Sequence, residues 1–160
     1  KNQFKDINAL IIPGGESTTI SNLIDKENLY MTIVKFLKNK PVYGTCAGLI
    51  LLSNDIINNN KKIKLFKILD IKVHRNGWGR QIESFTEKIT IRSFKDKYNA
   101  VFIRAPKITY CNKNIEVLSK YSNTPIMIRK DNILGTTFHP ELTDDIRIHQ
   151  YFLDMVKHYN

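Results

Sequence analysis

The chain has 160 residues, 42% of them hydrophobic, which suits one domain around one core. No apolar run approaches bilayer length and no basic-then-apolar secretory signal opens the chain, so membrane-spanning and exported classes are set aside. The formal net charge of +10 comes from basic residues spread along the chain, without a dense stripe and interleaved aromatics, so nucleic-acid binding is the least favoured reading.

Residues 7–12 (INALII) read as a buried strand cut off by Pro13-Gly14-Gly15. Ile20, Leu23 and Ile24 follow at helical spacing, with Ser17 or Thr18 as the expected cap. Met31, Val34, Phe36 and Leu37 predict a second helix, closed by Asn39-Lys40-Pro41. Val42-Tyr43 is a short strand that runs through Gly44-Thr45-Cys46-Ala47-Gly48 into a buried helix at residues 49–52. This alternation predicts a mostly parallel sheet with helices on both faces. Residues 58–62, rich in Asn and Lys, read as a solvated loop. The middle is β-rich, with strands expected at 68–73, 82–85, 88–94, 100–103, 113–119, 124–129 and 133–138. An amphipathic helix over 144–159 closes a single domain, 1–160.

Cys46 and Cys111 are far apart, with neither metal-type spacing nor a disulfide framework, which points to a reducing, cytoplasmic setting. Residues 44–48 have the form G-x-C-x-G, a cysteine nucleophile elbow. Such a turn strains the backbone at the nucleophile, and the flanking glycines permit close packing. It also sets Cys46 at a helix N-terminus, which is expected to lower its pKa, with the Ala47 N–H facing a developing oxyanion. A thiol nucleophile needs a base and an orienting group. His139 ends a strand, and Glu141 two residues later can project the same way from an extended segment to hold the imidazole tautomer. The bland alternatives are a buried structural cysteine and a surface histidine; the two motifs together favour chemistry. Pro13-Gly14-Gly15-Glu16-Ser17 offers free N–H groups before a helix, for a phosphate or an oxyanion, though it lacks the Walker ending.

PGGES, GTCAG and FHPE together resemble the class I (triad-type) glutamine amidotransferases. VHRNGWGRQIESF, FIRAP and FHPELTDDIR narrow the likeness to the glutaminase subunits of pyridoxal 5′-phosphate synthases. The resemblance implies a flavodoxin-like three-layer α/β fold with a mostly parallel central sheet and some antiparallel strands. It implies Cys46 as nucleophile, His139 as base and Glu141 as its orienter. Gly15, Glu16, Ser17, Arg75, Ile103 and Arg104 would contact L-glutamine, with Gly15 and Ala47 forming the oxyanion hole. For Arg75 and Arg104 the bland reading is a structural ion pair. No metal or other cofactor is called for, and no metal-ligand cluster is visible. The implied partner is the barrel-shaped synthase subunit that receives ammonia, and low activity is expected without it. Neither nucleic acid nor membrane is an expected partner.

The sequence departs from the family in two places. His74 stands where the family usually has Glu, and a Gly-rich strand and helix are expected ahead of Lys1, which is not Met. The competing readings are a glutaminase serving another synthase, such as imidazole glycerol phosphate synthase, a γ-glutamyl peptidase, and a non-catalytic regulatory subunit.

Overall fold

The computed structural model describes residues 2–57, 63–78 and 84–159; the expected Asn/Lys loop and part of the RNGWGRQ motif lie outside them. After a short 3-10 turn (Asn2–Lys5), its elements in chain order are β1 (Leu10–Ile12), α1 (Ser17–Lys26), α2 (Tyr30–Asn39), β2 (Val42–Thr45) and α3 (Ala47–Leu52). Strands β3 (Ser53–Ile57), β4 (Leu69–His74), β5 (Ser84–Ile89), β6 (Tyr98–Ile103) and β7 (Lys107–Cys111) follow. The chain ends with β8 (Glu116–Tyr121), β9 (Thr124–Lys130), β10 (Ile133–Thr136) and α4 (Arg147–Tyr159).

The principal sheet runs β1-β2-β10-β9-β8. Strand β2 is parallel to both neighbours, so the C-terminal ends of β1, β2 and β10 meet along one edge. Loops that leave the carboxyl edge of parallel strands are where α/β sheets build sites. All four residues of β2 are buried, and they alternate between two cores. Val42 joins the core that α1, α2 and α3 cover; Tyr43 joins the one that contains Ile148, Phe152 and Met155 of α4. Helices therefore lie on both faces, as the strand–helix alternation predicts.

Antiparallel pairing takes a larger share than the first fifty residues suggest. Among the described residues β1–β2, β2–β10 and β3–β4 are parallel, while the other four pairs are antiparallel. Among the described residues no helix stands between β3 and β10, and β5–β6, β8–β9 and β9–β10 pair antiparallel with their neighbours in sequence. Between β8 and β9, Ser122 and Asn123 both have positive φ, 46° and 63°, which matches the twist of a two-residue hairpin.

Several expected boundaries move. The cap of α1 is Glu16 rather than Ser17 or Thr18: its extended backbone and longer side chain let Oε2 accept from the Thr19 amide at 2.7 Å, while Ser17 is already helical and buried. Strand β3 was not expected, because Ser53-Asn54-Asp55 is not β-rich; it exists by pairing with β4. Strand β7 was likewise unmarked, and it pairs antiparallel with β4. The expected strand at 88–94 shortens to the end of β5, which pairs with β6, and β8 begins only after a turn in which Asn112 accepts from the Asn114 and Ile115 amides. Strand β10 ends at Thr136, and α4 starts at Arg147, whose amide the Asp145 carboxylate caps at 3.2 Å.

Candidate active site

The elbow forms where β2 meets α3. Cys46 has φ 49° and ψ −101°, a conformation that side-chain-bearing residues rarely hold, and its amide donates to the Thr136 carbonyl at 2.9 Å. Helix α3 packs so tightly here that a Cβ on Gly48 would run into the Ile12 carbonyl oxygen. The thiol is 6% exposed. Burial pushes its pKa up to about 11; the Ala47 N–H pulls it down, the Glu141 carboxylate pushes it further up, and the Gly15 N–H pulls it down. The Cys46 thiol is thus raised and not lowered as its place at a helix N-terminus predicts, because burial outweighs the Ala47 and Gly15 N–H groups. Two N–H groups, one at the start of α3 and one in the loop after β1, nonetheless face the sulfur. Gly15 reaches it by adopting φ +130°, which a residue with a side chain would resist.

His139 leaves the end of β10, with its amide bonded to the Val101 carbonyl at 2.8 Å. Its Nδ1 lies 2.7 Å from Glu141 Oε1, which leaves Nε2 for other work. The backbone between them is not the extended segment expected: residues Pro140–Leu142 form a 3-10 turn, which Pro140 favours at its first position. The turn still brings the two side chains together. Gly14 backs onto this pair. A Cβ there would lie 2.5 Å from His139 Cε1 and 2.9 Å from Nδ1.

Cys46 and His139 share a cavity of about 470 Å³. Gly15, Glu16, Ser17, Arg75, Ile103 and Arg104 also line it, so every substrate contact expected from sequence opens on the same space. Glu141 stands behind His139, and Ala47 is buried beneath the elbow. Arg75 meets Glu16 at 3.0 Å, so the ion pair foreseen as its bland role sits inside the cavity wall. Glu16 is charged far into acid. Partial dehydration works against that charge, but the Thr19 amide and hydroxyl, at 2.7 and 2.9 Å, help bring its pKa to about 2. Two lining residues were missed. Ile50 is one helical turn beyond Cys46, which periodicity could have flagged, and Asn76 follows Arg75 with φ 51°, a conformation Asn tolerates.

A family model described as the SNO glutamine amidotransferase family matches residues 1–158. The chain belongs to the SNO glutamine amidotransferase family. Among its relatives, the pyridoxal 5′-phosphate synthase subunit PdxT of Thermosipho africanus is 46% identical over 97% of this chain and 82% of the relative. The PdxT of Fervidobacterium nodosum is 47% identical over 98% of this chain and 81% of its own length. A crystal structure of a glutamine amidotransferase superposes with a TM-score of 0.88 at 37% identity, covering 94% of this chain and 80% of that one. A glutamine amidotransferase from Thermotoga maritima, at 16% identity and TM-score 0.57 over 96% of this chain and 64% of that one, shows the fold alone. Membership makes this chain an enzyme of the glutamine amidotransferase class. Among the described residues no helix of this family member is long and apolar enough to cross a membrane.

Proposed function

We propose that this chain, as a single domain, hydrolyses L-glutamine to L-glutamate and ammonia, and hands the ammonia to the barrel-shaped subunit of a cytoplasmic pyridoxal 5′-phosphate synthase. The observation that carries the reading is the cavity shared by Cys46 and His139, with Glu141 on the far nitrogen of the imidazole. The pathway rests on the PdxT relatives, which match nearly the whole chain.

Glutamine enters with its α-carboxylate toward Arg75 and Arg104 and its α-amino group toward Glu16. His139 Nε2 takes the Cys46 proton as the sulfur attacks the side-chain amide carbon. The carbonyl oxygen becomes an oxyanion, for which the Gly15 and Ala47 N–H groups are at hand beside the sulfur. Glu141 stabilises the imidazolium. His139 returns the proton to the departing nitrogen, so ammonia leaves and a thioester remains on Cys46. Water then attacks the thioester and gives a proton to His139, the carbon–sulfur bond breaks, and glutamate leaves. The His139 proton returns to sulfur.

The buried thiol, with its pKa raised, supports the expectation of low activity in the isolated chain. The test is glutamate release with and without the synthase subunit. Stimulated release that Cys46→Ala abolishes is the expected result; release that survives the substitution removes Cys46 as nucleophile. Tight synthase binding with no release would favour a regulatory subunit.

A further inference from the structure

Three buried hydroxyls converge below the His139 loop. Thr45 Oγ1 donates to the Phe138 carbonyl at 2.9 Å, and Thr136 Oγ1 donates to the same oxygen at 3.2 Å. A carbonyl oxygen has two lone pairs, so it can receive both. It has no proton to give, so Thr136 must use its own here. The Tyr43 hydroxyl, 2.9 Å from Thr136 Oγ1, is therefore the donor in that contact. Tyr43, Thr45 and Thr136 are 1%, 3% and 0% exposed, so no bulk water competes for these bonds.

The chain of hydroxyls links two places 93 residues apart in sequence. Thr45 is the neighbour of Cys46, and Phe138 is the neighbour of His139. The Cys46 amide reaches back to the Thr136 carbonyl at 2.9 Å, so the two loops grip each other from both sides. We infer that Thr45, backed by Thr136 and Tyr43, is a positioning residue that sets the His139 imidazole against the Cys46 sulfur. The inference rests on the reading of Cys46 and His139 as the catalytic pair. Thr45 touches neither substrate nor reacting atom; it acts through the peptide that carries His139. A hydroxyl here does more than satisfy a buried carbonyl, because Thr136 already donates to that oxygen. Removing the shorter bond leaves the peptide held by the longer one.

Thr45→Val keeps the side-chain shape and removes the hydroxyl; Thr45→Ser keeps the hydroxyl. Glutamate release is measured with the synthase subunit present. Thr45→Val is expected to lose about tenfold or more in kcat with KM within about twofold, since small displacements of a catalytic group fall on the chemical step. Thr45→Ser is expected to recover most of the rate, with melting temperatures close to wild type throughout. Unchanged kcat in Thr45→Val overturns the proposal, as does a serine variant as impaired as the valine. Should the valine variant fail to fold, Thr45→Ala is held to the same comparison. If the wild type releases no glutamate, the glutaminase reading fails, and Cys46 alkylation by iodoacetamide at neutral pH is compared instead. A rate reduced several-fold in Thr45→Val and restored in Thr45→Ser supports positioning; equal rates overturn it.

Discussion

Cys46 is buried, strained and surrounded by opposing influences. Dehydration and the Glu141 charge favour the thiol, while two N–H groups favour the thiolate. With its pKa raised to about 11, the thiol is overwhelmingly protonated at pH 7. Alkylation of Cys46 by iodoacetamide in the isolated chain should therefore rise about tenfold per pH unit and keep rising beyond pH 9, within the range over which the chain stays folded. Levelling off between about pH 9 and 10 would mean an unshifted thiol. At Gly14 the constraint is steric. An added methyl would press on His139 Cε1 and Nδ1, so Gly14→Ala must turn the imidazole away from Glu141 or move the loop. It is expected to lower kcat about a hundredfold while the fold persists, since displacement of a reacting group is costly. Wild-type kcat in that variant, with its structure intact, would show that the ring has room to spare.

At the scale of elements, α1 and the cavity share one side chain. Glu16 caps the helix through Thr19 and holds Arg75 through its other oxygen. Its pKa falls from 4.5 in the unperturbed state to about 2 in the fold. A carboxylate with a depressed folded pKa contributes stability that is fully present above its unfolded value and is lost as pH falls through the folded value. The contribution should thus fade between about pH 4.5 and 2. It is modest, because the side chain is 46% exposed and solvent screens it. Urea titrations at pH 7 and in acid are expected to show a shallower acid loss for Glu16→Gln than for wild type. Parallel curves would assign the acid sensitivity to other carboxylates.

At the scale of the whole molecule, one arginine joins the layer of α4 to the β5–β6 pair. Arg147 donates to the Asp96 and Lys97 carbonyls at 3.0 and 2.9 Å, pairs with Asp145 at 2.6 Å, and lies over the Phe94 and Tyr98 rings. Tyr98 in turn contacts the Thr143 hydroxyl at 3.0 Å, just past Glu141. The segment that carries the His139–Glu141 pair is thereby tied to β6 and to the start of α4. Arg147→Ala is expected to cost about 1–2 kcal/mol in urea unfolding, with little rescue by Arg147→Lys, because an ammonium cannot fork between several acceptors. Full rescue by lysine would reduce the link to a simple charge pair.

The residues that line the candidate site were legible because each is announced by its neighbours. Glycines flank Cys46, a proline follows His139, and two glycines end β1; these are local backbone requirements, and a linear sequence records them. The helices α1, α2 and α4 were legible for a similar reason, since periodicity is local. Strand β3 was not, because its pairing with β4, rather than Ser53-Asn54-Asp55, makes it a strand; β7, with Ile108, Thr109 and Tyr110, carries β-prone residues but no turn signal that sets it apart from its flanks. Only the tertiary structure decided the sign of the Cys46 shift, which depends on how much water the surrounding core removes. It also decided that Glu16, not Ser17, caps α1, that Arg75 meets Glu16 in the cavity wall, and that Thr45 reaches Phe138. Those facts belong to pairs of residues far apart in the chain or to side-chain reach, and the sequence by itself specifies neither until the sheet has set its register.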